Sequence, residues 1–126
     1  MSSVLRPQGV PIVLGEVERH FLFTLNAIDE IQSHYDMTMM DVFKLMSDDT
    51  TLFKTVKYLT HVLLTDEFER EKFRNPDTDL KPISEKEAGW LVTKDNIVEV
   101  SKAFLVAYGL SMPEADEDDD PNVASE

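Results

Sequence analysis

Apolar positions along this chain change period once, near residue 24. Before that point the spacing is that of strands. Val10–Leu14 and Val17–Phe23 are two short runs separated by Gly15 and Glu16, which predicts a hairpin with glycine supplying the positive φ of the turn. In the second run Val17, Arg19, Phe21 and Phe23 alternate with Glu18, His20 and Leu22, and Arg19 interrupts the apolar side. Pro11 has no N–H to give a ladder, so the first strand belongs at an edge. Two strands alone are marginal in water and need helices to pack on.

After residue 24 the spacing is helical. Thr24 is a candidate cap for a helix carrying Leu25, Ile28 and Ile31 inward, with Gln32 and Tyr35 as further positions and an end near Asp36. Thr38–Asp41 has the form of a capping box with Asp in the acidic place, opening a short helix that turns Met39 or Met40, Phe43 and Met46 inward. Polar residues 47–51 lead to the longest helix, where Leu52, Val56, Leu59 and Leu63 form a stripe widened by Phe53, Val62 and Leu64. Its charged continuation carries Phe68 and Phe73 as anchors and stops at Asn75-Pro76. Ser84–Glu87 is a full capping box for a short helix through Trp90 and Leu91. A last helix begins near Thr93–Asn96, places Ile97, Val100, Phe104 and Ala107 on one face, and ends before Gly109. The pattern predicts a mainly helical α+β domain: an N-terminal hairpin packed on a bundle of about five helices.

Charge adds a boundary. Residues 113–126 hold seven acidic side chains and no Lys or Arg, out of a net charge of −13 for the chain, leaving six net negative charges for residues 1–112. A segment with so little to bury cannot offset the entropy of ordering, so the expected organisation is one domain over 1–112 and a disordered acidic tail over 113–126. An acidic excess repels phosphate backbones, which argues against direct nucleic-acid binding. Imitation of nucleic acid by an acidic regulatory protein, bound to a basic partner, is the alternative that this charge leaves open. With no cysteine, disulfides and thiolate chemistry are excluded. No run approaches the ~20 apolar residues of a membrane span and the N-terminus lacks a secretory core, so the expectation is a soluble, intracellular protein.

Candidate chemistry is sparse. His20, His34 and His61 never fall one helical turn apart, as zinc ligands commonly do. Asp77-Thr-Asp79 lacks the glycine and closing Glu of a calcium loop. The paired carboxylates lie in polar runs, and no Gly-x-Ser-x-Gly elbow, GxGxxG or Gly-Lys-Thr loop occurs. The reading is therefore non-enzymatic, with no cofactor, metal or small-molecule substrate expected.

Two features suit protein contacts. Met37, Met39, Met40 and Met46 cluster within ten residues, and flexible thioethers serve either irregular cores or adaptable contact surfaces. The last helix carries Val98, Leu105 and Val106 besides its inward face. A helix apolar over most of its circumference is either sandwiched in a core or covered by another chain. Met39, Met40, Val98, Leu105 and Val106 are the candidate partner-binding residues.

The order of elements then resembles the tail assembly chaperones of long-tailed, siphovirus-like bacteriophages and prophages. The resemblance covers roughly residues 10–75. It rests on Thr24-Leu-Asn-Ala-Ile-Asp-Glu-Ile31, followed by the short helix from Thr38 to Met46 and the long apolar helix from Leu52 to Leu64. It implies a protein of the bacterial host cytoplasm that coats the helical tape-measure protein, assists polymerisation of the tail-tube protein, forms homo-oligomers and leaves before the virion matures. It also implies that a longer frameshifted form is common.

Overall fold

The computed structural model describes residues 9–110. Strands β1 (Val10–Leu14) and β2 (Val17–Phe21) form the hairpin. Helices α1 (Leu25–Tyr35), α2 (Met39–Lys44, continuing into a 3-10 turn over Leu45–Ser47), α3 (Leu52–Arg74), α4 (Glu85–Leu91) and α5 (Ile97–Ala107) follow. This is the expected architecture of one hairpin and five helices. The expected acidic tail, and the domain boundary before it, lie outside the described residues.

The hairpin turn uses two residues, and both Gly15 and Glu16 have positive φ, 60° and 67°. That pair of signs matches the right-handed twist of the flanking strands. Glycine takes it freely; Glu16 bears a cost of about 1 kcal/mol for a left-handed conformation. A two-residue turn makes Leu14–Val17 the closing pair, so hydrogen-bonded pairs recur at Ile12–Arg19 and Val10–Phe21. Pro11 stands opposite His20 at a non-bonded position, where its missing N–H removes nothing from the ladder. Where the chain enters β1, Gly9 has φ 91°, and a Cβ there would lie 2.2 Å from the Phe21 carbonyl oxygen.

Ile12, Leu14 and Phe21 turn inward from the sheet, and Arg19 turns inward with them. β2 ends at Phe21, two residues earlier than its alternation suggests. Phe23 lies beyond the strand and meets Phe43 and Tyr108 edge-on, at 6.0 and 5.4 Å between ring centroids. Val17, at the hairpin tip, is exposed.

Thr24 caps α1, its Oγ1 accepting from Ala27 N at 3.1 Å, and Asp36 closes it in the left-handed conformation. Ala27 and Ile31 are buried, with Ile28 and Tyr35 packed beside them. Leu25 corrects the sequence reading: it is 84 % exposed. It precedes Ile31 by six residues, which at 3.6 residues per turn sets it roughly 120° away from the buried face. Gln32 Oε1 accepts from Met39 N at 3.0 Å and ties α1 to α2. Thr38 Oγ1 caps α2 by accepting from Asp41 N at 3.2 Å.

α3 is the central helix. It touches α1, the 3-10 turn, β2, α4 and α5. In its middle Thr55, Tyr58 and Thr60 are buried along with the expected Val56, Leu59, Val62, Leu63 and Leu64. The position at the centre of the body thus belongs to α3, and α5 lies on the outside. Thr60 Oγ1 is buried with no hydrogen-bond partner among the described residues, which carries a desolvation cost of about 1–3 kcal/mol. Phe53 is exposed and Phe73 is 89 % exposed, so neither anchors the helix. Asp66 meets Thr24 where the hairpin runs into α1, and α3 continues two turns past that point.

α4 opens with both halves of its capping box: Ser84 N donates to Glu87 Oε1 at 2.8 Å and Glu87 N to Ser84 Oγ at 3.0 Å. His61 Nδ1 and Thr65 Oγ1 both donate to the Ile83 carbonyl, at 2.6 and 3.1 Å, holding the approach to α4 against α3. α5 starts without a side-chain cap; Asn96 instead donates from Nδ2 to the Leu91 carbonyl at 3.0 Å. Ile97, Val100 and Phe104 enter the core, and Phe104 lies 4.7 Å from Phe21 between ring centroids.

Candidate functional site

The longest-range polar contacts join the hairpin to α3. Arg19, on the inward face of β2, donates from Nε to Glu67 Oε1 at 2.9 Å, with only 6 % of its side chain exposed. Glu67 also receives His20, Nδ1 to Oε2 at 3.2 Å, and the other imidazole nitrogen lies 3.1 Å from Glu18. The adjacent Asp66 accepts from Thr24 Oγ1 at 3.0 Å and from Arg70 Nε at 2.9 Å. Each guanidinium is thus matched to a carboxylate, as burial demands. Arg19 and Arg70 each keep a buried Nη2 without a hydrogen-bond partner among the described residues. This cluster links β2, the start of α1 and the distal part of α3.

An open cleft of about 920 Å³ lies beside it. α3 contributes one wall through Asp66, Glu69, Arg70, Phe73 and Arg74, residues spaced to share one face of a helix. Asn26 of α1 and His20 of β2 stand across it. The wall combines a nearly fully exposed phenyl ring with charges of both signs.

A second aromatic group lies between α1 and α3. His34 stacks on Tyr58 at 4.0 Å between centroids, and Tyr35 meets Tyr58 edge-on at 5.5 Å. Burial first, then the negative charges of Glu30, Tyr35 and Glu85, push the Tyr58 phenol up to about 12. Burial also raises Tyr35, against a hydrogen bond to Thr55 that lowers it. Raised values favour the neutral phenols, so these rings act as packing groups at neutral pH.

The candidate partner-binding residues fall in three kinds of place. Met39 is 1 % exposed and belongs to the core, so as a contact residue it is corrected: the first residue of α2 is sealed inside the body. Its neighbour Met40 is exposed. On α5, Val98 and Val106 are 64 % and 50 % exposed, with Leu105 half-buried between the core and that outer face. The structure therefore brings Val98, Leu105 and Val106 onto one helix. Met40 sits on a separate one, and α2 and α5 approach through Phe43 and Tyr108, 5.3 Å apart between centroids.

Sequence reasoning missed the cleft and the Arg19–Glu67 pair. The one available signal was Arg19 itself, a cation at an apolar strand position, which requires a buried acid somewhere. Among the described residues no three His, Asp or Glu side chains converge as metal ligands do, and no helix is long and apolar enough to cross a membrane. Comparison with protein-family models, with curated proteins and with solved structures found no match.

Proposed function

We propose that this chain is a non-enzymatic tail assembly chaperone, which covers amphipathic helices of a tape-measure protein while the tail-tube protein polymerises around it in the bacterial cytoplasm. The observation that supports this reading is the outer face of α5. α5 packs on β1, β2 and α3 with one side, and on the other Val98 and Val106 stay exposed with Lys102 between them, an uncovered apolar pair that offers contact to another helix. Val98 and Val106, with Leu105 at their flank, have the spacing that meets an i, i+3, i+4, i+7 stripe on another helix. The chain's net charge of −13 suits a protein that must keep an aggregating client dispersed.

Introducing lysine at two points of this face, Val98→Lys with Val106→Lys, is expected to weaken binding of a tape-measure fragment at least roughly tenfold. Both side chains are exposed, so folding stability should stay within about 0.5 kcal/mol. Calorimetric titration and a thermal melt measure the two effects. Unchanged affinity in the folded double variant would remove α5 as the client surface.

A further inference from the structure

We infer that the acidic stretch Glu114–Asp120 of this chain folds back on its own body, onto a cationic face that the first half of α3 shares with α4 around Lys54, Lys57 and Lys86. In a chain of net charge −13, residues 52–65 are an exception: they hold Lys54 and Lys57 and no acid. Gly89 of α4 meets α3 here, since a Cβ on it would lie 3.0 Å from Lys57 Cδ. One turn from each of these contact residues stand Lys54 on α3 and Lys86 on α4, both exposed. Next to them in sequence, Phe53 and Trp90 are exposed as well. The pairing of charges singles out this face. Arg19, Arg70, Arg74 and Lys44 each hold a carboxylate within the body. Lys54, Lys57 and Lys86 hold none among the described residues. The acids beside Lys86 are engaged elsewhere: Glu87 closes the cap of α4, and Glu85 bears on the Tyr58 and Tyr35 phenols.

Charge and position identify the occupant. Residues 114–120 carry six carboxylates and no cation. The end of α5 lies against α2, Tyr108 to Phe43 at 5.3 Å between centroids. The 3-10 turn that continues α2 packs on α3, and Thr51 Oγ1 donates to its Leu45 carbonyl at 2.6 Å, two residues before Phe53. Leu110 therefore stands at the end of the body from which α3 starts. Asp120 is ten residues further, a reach of up to roughly 35 Å at ~3.3–3.6 Å per residue, against a radius of gyration of about 13 Å for a body of this size. Tethering gives the carboxylates a millimolar effective concentration at the lysines, so contacts that are individually weak suffice. A contact of this kind needs no ordered backbone and weakens with salt.

The lysine face is separate from Val98 and Val106 of α5, so the inference stands apart from the chaperone reading. With no cysteine in the chain, one introduced thiol reports the contact. A nitroxide on Asn122→Cys of the full chain is expected to cut the amide signals of residues 53–57 and 86–90 to about half at low salt, and to leave those of residues 69–74 unchanged. Salt at about 0.5 M should restore them, because charges then act over only a few ångströms. Lys54→Glu with Lys86→Glu should abolish the broadening at an unchanged melting temperature, since both side chains are exposed. No broadening, equal broadening over the whole body, or broadening that the lysine variant keeps overturns the proposal. Broadening seen only between differently labelled copies overturns it too, because the occupant is then a second chain. So does a lysine variant that loses a tape-measure fragment while the nitroxide leaves the parent's signals untouched, since the face then serves the client.

Discussion

Truncating Phe104 to alanine is expected to cost about 3–5 kcal/mol, a large part of the 5–15 kcal/mol that holds a domain of this size together. Phe104 is fully buried and packs on Phe21 at 4.7 Å between centroids. It is the main ring by which α5 grips the hairpin. A two-stranded sheet has little stability of its own, so a cavity at this contact loosens both elements together. Urea unfolding followed by circular dichroism measures the loss as a lower midpoint at unchanged slope. A loss under about 1 kcal/mol would mean that the hairpin is not seated on α5 as described.

Removing the carboxylate of Glu67 is expected to be comparably damaging, and for an electrostatic reason. Glu67→Ala leaves the Arg19 guanidinium beneath the hairpin with its charge unmatched, a cost of about 3–5 kcal/mol. The pair itself is expected to contribute little net stability, because desolvating both ions consumes most of their attraction. Arg19→Met combined with Glu67→Leu should therefore fall within about 1 kcal/mol of the parent, or exceed it. A double-mutant cycle separates the cases. If the double variant is as unstable as Glu67→Ala alone, the damage comes from lost packing and the ion-pair account is wrong.

Those two residues also mark what was legible in the sequence. Local signals carried most of the architecture. The turn glycine at 15, the Thr24, Thr38 and Ser84 caps, the Pro76 stop and the Val56–Leu59–Leu63 stripe each act within a few residues, and each element formed where they place it. Failures came where a distant partner decides. Leu25 and Phe73 fit an apolar count, but nothing in the sequence says where the opposing elements end, and both came out exposed. Glu16 in the left-handed region follows from the two-residue turn and has no signal in its own side chain. Arg19 announced that an acid was needed, yet Glu67 is 48 residues away and one among 25 acidic residues. The same limit applied to α5: its two-sided apolar pattern was plain, but which helix occupies the centre depended on Thr55, Tyr58 and Thr60 making α3 the more enclosed one.

Val98 and Val106 on the open side of α5 remain the centre of the functional account, and client solubility tests it most directly. A tape-measure protein would be expressed alone, with this chain, and with its Val98→Lys/Val106→Lys variant, and the soluble client measured after centrifugation. The account predicts soluble client only with the parent chain, in a complex that elutes as one species. Client that aggregates equally in all three, or that the lysine variant keeps soluble as well as the parent does, would contradict it.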